Sequence, residues 1–264
     1  DAAAAARGSG GRFGGLHVAA GADGRPEVRV LMLHDAEAEL IVAPVHDGRA
    51  PGLCRVLGGA DWDQREARDL AGVEFTGDGP HRALVAHPAD LTAWTTPVAG
   101  DDVHQVAVGP IHAGVIESGH FRFHVVGERI LHVDLRMFYK HRGLEAVAEG
   151  RTPDEGLLVA RRACAACAAS TQVAYAQACE AALGLWPDDA LRRQRTLLVE
   201  LERLYNHLND LGQVCSGIGL AAGAMAFADL KERAQRANAA LFGHRFLFPA
   251  VRVGLGVALP GARD

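Results

Sequence analysis

The sequence predicts an α+β fold: a small N-terminal mixed α/β domain, then a β-hairpin, then a bundle of long helices. Three observations predict it. Val28–Leu33 and Glu39–Val45 are short β-branched and aliphatic runs bounded by turn formers. Phe121–Val126 and Arg129–Arg136 are two further strand-like runs joined by Gly127-Glu128, a step suited to a hairpin turn. From Thr152 onward the apolar residues recur with helical period.

Taken in order, residues 1–15 (DAAAAARGSGGRFGG) are small and Gly-rich, so they are expected to be a flexible segment with too little side-chain surface to pack. A short helix is expected between Ala50 and Leu57 and another over Asp61–Leu70, where an acid stands at the N-cap. Pro80, Pro88, Pro97 and Gly100 break any regular period, which places the domain boundary at about 98–104, between domains at 16–100 and 105–264. In Arg129–Arg136, Ile130, His132, Asp134 and Arg136 alternate with Leu131, Val133 and Leu135, the period of a half-buried strand.

Thr152 as N-cap, Pro153 behind it and Asp154 and Glu155 in the first turn together start a helix, because each satisfies or complements the unpaired N–H groups there. The Ala-rich helix that follows is expected to run to Leu183 and stop at Gly184. Asp188–Val214 is a second long helix, with Leu191, Leu198, Leu201, Leu204, Leu208 and Leu211 forming one apolar stripe. Ala221–Phe242 is a third, followed by a strand-like Phe248–Val253.

Composition excludes several function classes. With 49% apolar and 22% charged residues the chain can bury a real core. A net charge of −5 with scattered Lys and Arg gives no basic face for nucleic acid. The longest apolar run, Ile218–Ala228, is short of the ~20 residues of a spanning helix, so no direct membrane span is expected. Five cysteines, an odd number spread over the whole length, fit a reduced, cytoplasmic compartment. The first residue is Asp1 and the chain stops at VALPGARD, from which a truncated polypeptide is expected.

Cys164-Ala165-Ala166-Cys167 is the one closely spaced cysteine pair. At i and i+3 of a helix both sulfurs share a face and can hold a soft metal or cluster, and Arg161 and Arg162 beside them favour thiolates. In an Ala-rich helix two cysteines are equally readable as small buried hydrophobes. Cys179 and Cys215 are isolated and read as packing residues. No second CxxC or paired histidines at zinc-finger spacing, no P-loop and no GxSxG is present, which leaves structural zinc, nucleotide binding and serine hydrolysis without local support. In Gly109–Phe123 (GPIHAGVIESGHFRF), Glu117 is either a solvated loop acid or a proton-passing carboxylate, and His112 and His120 are readable as satisfied loop histidines.

GPIHAGVIESGHFRF, YKHRGLEAVAEGR (Tyr139–Arg151) and LVELERLYNHLNDLG (Leu198–Gly212) follow one another in an order and spacing that resemble the quinone-site 49-kDa-type subunit of complex I. They resemble still more the large subunit of energy-converting, formate-hydrogenlyase-type NiFe hydrogenases. Ala60–Val85 resembles the end of the complex I 30-kDa-type subunit, which makes residues 16–100 a fused domain of that type. The resemblance implies a helix bundle of the NiFe hydrogenase large-subunit type over 105–264. It implies that Cys164 and Cys167 supply two of the four thiolates of a NiFe centre, used for proton and hydride chemistry in the full-length parent, and that Glu117 relays protons. With the second cysteine pair outside the sequence, no NiFe centre is expected on this chain alone. Three positions depart from the family pattern: Ala165 stands for the usual glycine, Thr171 for a histidine and Arg161 for an acid. A metal-free, complex I-like alternative has His112, Tyr139 and Lys140 beside a quinone, and a second alternative is a non-catalytic scaffold. Implied partners are an iron–sulfur small subunit and membrane-arm subunits, which places the chain peripherally on the inner face of the plasma membrane.

Overall fold

The computed structural model describes residues 2–35, 37–78, 82–90, 94–112 and 118–254. The chain divides into two compact units, Asp1–His141 and Arg142–Asp264.

The first unit opens on helix α1 (Ala2–Gly8), with Ala3 and Ala6 buried, and continues into strand β1 (Arg12–Ala20). The segment expected to be flexible therefore has regular structure. Alanine has the highest helix propensity, and its methyl is small enough to sit close against a neighbouring strand. β1 pairs antiparallel with β2 (Pro26–Leu33), which pairs antiparallel with β3 (Ala38–Pro44). Val28, Val30 and Met32 alternate into a core shared with Leu16, Ala67 and Phe75. Residues 50–57 do not form the expected helix. Strand β4 (Arg49–Pro51) instead pairs in parallel with β5 (Glu74–Thr76), and Pro51-Gly52 closes the strand. Helix α2 (Asp61–Ala71) lies between them in the chain. Its N-cap residue is Ala60; Asp61 and Asp63 occupy the first turn, and Asp63 Oδ2 accepts the Leu16 amide at 2.7 Å.

The hairpin is present as β7 (His120–Val126) and β8 (Arg129–Arg136), with Gly127 at φ 55° in the turn. A strand not expected from the sequence, β6 (His104–Val108), adds to β7. The alternation holds with its polar side inward. Asp134 is 1% exposed, whereas Leu131 and Leu135 are 45% and 52% exposed. The buried carboxylate is supplied with donors: His124 Nε2 at 2.8 Å, His132 Nε2 at 3.1 Å and the Thr96 amide at 3.1 Å. By contacts this sheet belongs to the first unit, beyond the boundary expected at 98–104.

The second unit is helical: α3 (Leu144–Ala148), α4 (Pro153–Ala160), α5 (Ala168–Ala182), α6 (Asp189–Gly217) and α7 (Ala221–Phe242). The start signal at Thr152 is a complete capping box with Glu155. The single helix expected from there to Leu183 is two helices, interrupted at residues 161–167. The leucines of α6 do not form one buried stripe. Its buried side is Arg195, Leu198, Glu202 and Tyr205, while Leu204 and Leu211 are half exposed. Phe248–Val253 is an irregular segment, not a strand, with Ala250 and Val251 buried. Leu247 has φ 58°, and the backbone is held by side chains: Gln172 Nε2 donates to Leu247 O at 3.2 Å and Arg195 to Arg252 O at 3.2 Å. Leu247, Ala250 and Val251 pack with Ala169, Val173, Ala176, Leu198 and Phe242 in the core of this unit.

Candidate functional site

Cys164 and Cys167 stand in the turn between α4 and α5, not on a helix. The two thiols are nonetheless neighbours. The Cys167 side chain and the nearby backbone N–H groups of Cys167 and Ala166 lower the Cys164 pKa against the opposing effect of burial. Burial and the same sulfur pairing raise Cys167. The pair is thus unequal, its two members being shifted in opposite directions. Thr171 donates from Oγ1 to Cys167 Sγ at 3.8 Å.

The turn is gripped from outside. Arg142 donates to Arg162 O at 3.0 Å and Ala163 O at 2.6 Å. From α6, Tyr205 Oη donates to Ala165 O at 3.5 Å and Asn206 Nδ2 to Ala166 O at 2.5 Å. The Glu202 carboxylate, 4% exposed, accepts the Ala169 amide at 2.5 Å and the Ser170 amide at 2.9 Å. A carboxylate on two first-turn N–H groups is well placed electrostatically, because those amides carry the positive end of the helix dipole. Glu202, Tyr205 and Asn206 all fall in the Leu198–Gly212 motif, the available signal for their importance, although the sequence pattern alone gives them no role.

Arg161 and Arg162 do not act on the sulfurs as expected. Arg161 Nη1 donates to Phe248 O at 3.2 Å, and the Arg162 guanidinium lies 6.0 Å from the Phe248 ring centre. The charged side chain that acts on both thiols is Glu202, which raises them. Ala165 is exposed and is not among the residues with positive φ, so the turn has no steric requirement for glycine at that position.

The other expected residues lie elsewhere. Glu117 lies outside the described residues. His112, Tyr139 and Lys140 belong to the first unit, where all three are exposed and Tyr139 lies 5.4 Å beneath the Arg136 guanidinium. An open cleft in that unit is lined by Trp62, Arg65, His87 and Trp94 among others, without those three. Cys179 and Cys215 are both partly buried. Among the described residues no three His, Cys, Asp or Glu side chains converge as a metal site. Two adjacent, accessible sulfurs fit half of a tetrathiolate donor set.

Residues 2–98 match the family model of the respiratory-chain NADH dehydrogenase 30 kDa subunit. The chain is 33% identical over 220 residues to hydrogenase-4 component G of Escherichia coli, covering 74% of the chain and 40% of that protein. It is 31% identical over 222 residues to formate hydrogenlyase subunit 5 of the same organism, covering 74% and 39%. The C/D-type subunit of the NADH-quinone oxidoreductase of Cereibacter sphaeroides is 25% identical over 271 residues, covering 87% and 45%. The chain thus spans less than half the length of these relatives. Among solved structures, a chain of the membrane-bound sulfane sulfur reductase, an archaeal respiratory membrane complex, shares the fold with a TM-score of 0.54 at 21% identity, covering 63% of this chain and 44% of that one.

Proposed function

We propose that this chain, a complex I 30-kDa-type domain fused to a stretch homologous to membrane-bound hydrogenase and NADH-quinone oxidoreductase subunits, forms part of the redox subunit of a membrane-associated complex. Within it, Cys164 and Cys167 are two of the four thiolates of a NiFe centre whose other pair lies in the remainder of the parent protein. The observation that carries this reading is the meeting of the two sulfurs on an accessible turn gripped by Arg142, Tyr205 and Asn206.

When bound, a NiFe centre supplies heterolytic activation of dihydrogen. The chain's own residues then do three things. Cys164 Sγ offers one sulfur ligand from the exposed side of the turn. Cys167 Sγ, which accepts from Thr171 Oγ1, offers the second. Glu117, from the upstream motif, carries protons outward. Electrons leave through an iron–sulfur partner subunit, and membrane-arm subunits hold the assembly peripherally at the cytoplasmic face. Among the described residues no helix is long and apolar enough to cross a membrane.

Nickel and iron analysis of the full-length parent tests the proposal. Both metals are expected in the wild type, and Cys164→Ala is expected to lose nickel together with dihydrogen uptake. A parent free of nickel that reduces quinone in an inhibitor-sensitive assay would establish the complex I-like alternative, in which His112, Tyr139 and Lys140 border the quinone. A parent with neither property would be a scaffold.

A further inference from the structure

The interruption between α4 and α5 has no local cause. From Leu157 to Ala182 the sequence contains no glycine or proline, and alanine dominates it. Intrinsic propensity therefore favours an unbroken helix through both cysteines. In that helix the amides of 166, 167, 169 and 170 would bond to the carbonyls of 162, 163, 165 and 166.

In the structure each of these four bonds is broken. The carbonyls of Arg162 and Ala163 accept from Arg142, and the amides of Ala166 and Cys167 lie near Cys164 Sγ. The carbonyls of Ala165 and Ala166 go to Tyr205 and Asn206, and the amides of Ala169 and Ser170 go to Glu202. Of these groups the Ala169 amide is buried, where an unmet donor costs about as much as a lost hydrogen bond, so Glu202 is the substitute on which the unwound turn depends most.

We infer that Arg142, Glu202, Tyr205 and Asn206 are positioning residues that hold the CAAC turn unwound, and that the pairing of its two sulfurs depends on that hold. The inference rests on Cys164 and Cys167 being a working pair, but it requires no metal. It assigns α6 a task beyond packing: competing against the helix that the local sequence prefers.

Phenylarsine oxide tests it on the full chain. The reagent condenses with two thiols that can reach one arsenic: two As–S bonds form, two S–H bonds break, one water leaves, and arsenic stays trivalent. The wild type is expected to bind the reagent tightly and Cys164→Ala to lose that binding. Glu202→Ala and Asn206→Ala are each expected to weaken it by about tenfold, the loss of roughly one hydrogen bond's worth of positioning. Glu202→Gln, which keeps one acceptor oxygen, is expected to recover part of the affinity. Amide exchange over residues 163–170 should slow in Glu202→Ala as the helix closes, whereas simple loosening would accelerate it. If Glu202→Ala does not fold, the partly exposed Asn206 carries the test through Asn206→Ala. Wild-type affinity and exchange in the folded variants would overturn the inference, as would a wild type that binds no better than Cys164→Ala. A nickel-free parent with the expected arsenical behaviour would instead refute only the NiFe reading.

Discussion

Removing the Glu180 carboxylate is expected to destabilise the second unit by about 3–5 kcal/mol, the cost of leaving one member of a buried ion pair without its partner. Glu180 and Arg195 are 1% and 2% exposed. They meet through two parallel bonds, Arg195 Nη1 to Oε2 at 2.7 Å and Nη2 to Oε1 at 2.5 Å. Glu180 Oε1 also accepts the Gly254 amide at 2.7 Å, and Arg195 donates to Arg252 O, so the pair ties the segment after α7 to α5 and α6. Glu180→Ala therefore strands a buried guanidinium and frees an amide together. Urea unfolding followed by ellipticity at 222 nm reads this unit, because its long helices dominate that signal. The double variant Glu180→Leu/Arg195→Met, which leaves no charge behind, should be less destabilised than Glu180→Ala. The ion pair holds the Glu180 carboxyl below its ordinary value. Its contribution is thus fully present above the unfolded-chain pKa of about 4.3 and is lost as pH falls through the lower folded value. A Glu180→Ala cost under about 1 kcal/mol, or a double variant as unstable as the single, would refute the burial argument.

Burial pushes the Asp134 carboxyl up, but hydrogen bonds from His124, Thr96 and His132 outweigh it and hold the pKa low, so its stabilisation too is present above about pH 4 and disappears as pH falls through the folded value. Asp134→Ala, which leaves the His124 and Thr96 donors without their acceptor, should cost about 1–3 kcal/mol for each donor left unpaired, measured by urea unfolding of the sheet unit with tryptophan fluorescence. Thr152→Ala removes the capping box at the start of α4 and should cost about 1 kcal/mol, visible as a melting temperature lowered by a few degrees. A Cβ at Gly156 would overlap the Tyr175 hydroxyl, so Gly156→Ala should destabilise by about 1–3 kcal/mol despite alanine's better helix propensity, and an unchanged or raised melting temperature would contradict it.

Local signals located most elements because local causes make them. The caps at Thr152 and Asp188 and the left-handed Gly243 fix the helix ends near where sequence spacing places them. The Gly127 turn fixes the hairpin. Position along the strand or helix period proved a weaker guide to burial. On β8 and α6 the expected apolar side is partly exposed, while Asp134, Arg195 and Glu202 lie inside. A buried charge is tolerated only when its partners are present, and most of those partners are distant in sequence: Thr96 is 38 residues from Asp134, Glu180 15 from Arg195 and Ala169 33 from Glu202. Hydrophobic periodicity contains no information about such pairs.

The cysteine turn is the sharpest case. Sequence spacing put Cys164 and Cys167 together on a helix, and they are together, but for a different physical reason. A continuous helix would bring residues i and i+3 near each other while spending every amide between them on the backbone ladder. Breaking that ladder frees the Ala165 and Ala166 carbonyls to accept from Tyr205 and Asn206 on α6, something no intact helix can offer. The break is encoded by Glu202, Tyr205 and Asn206, roughly forty residues downstream, in a motif recognisable by resemblance yet silent about what it touches. The shape of the cysteine turn is therefore written in two places, and only their meeting in the folded chain joins them.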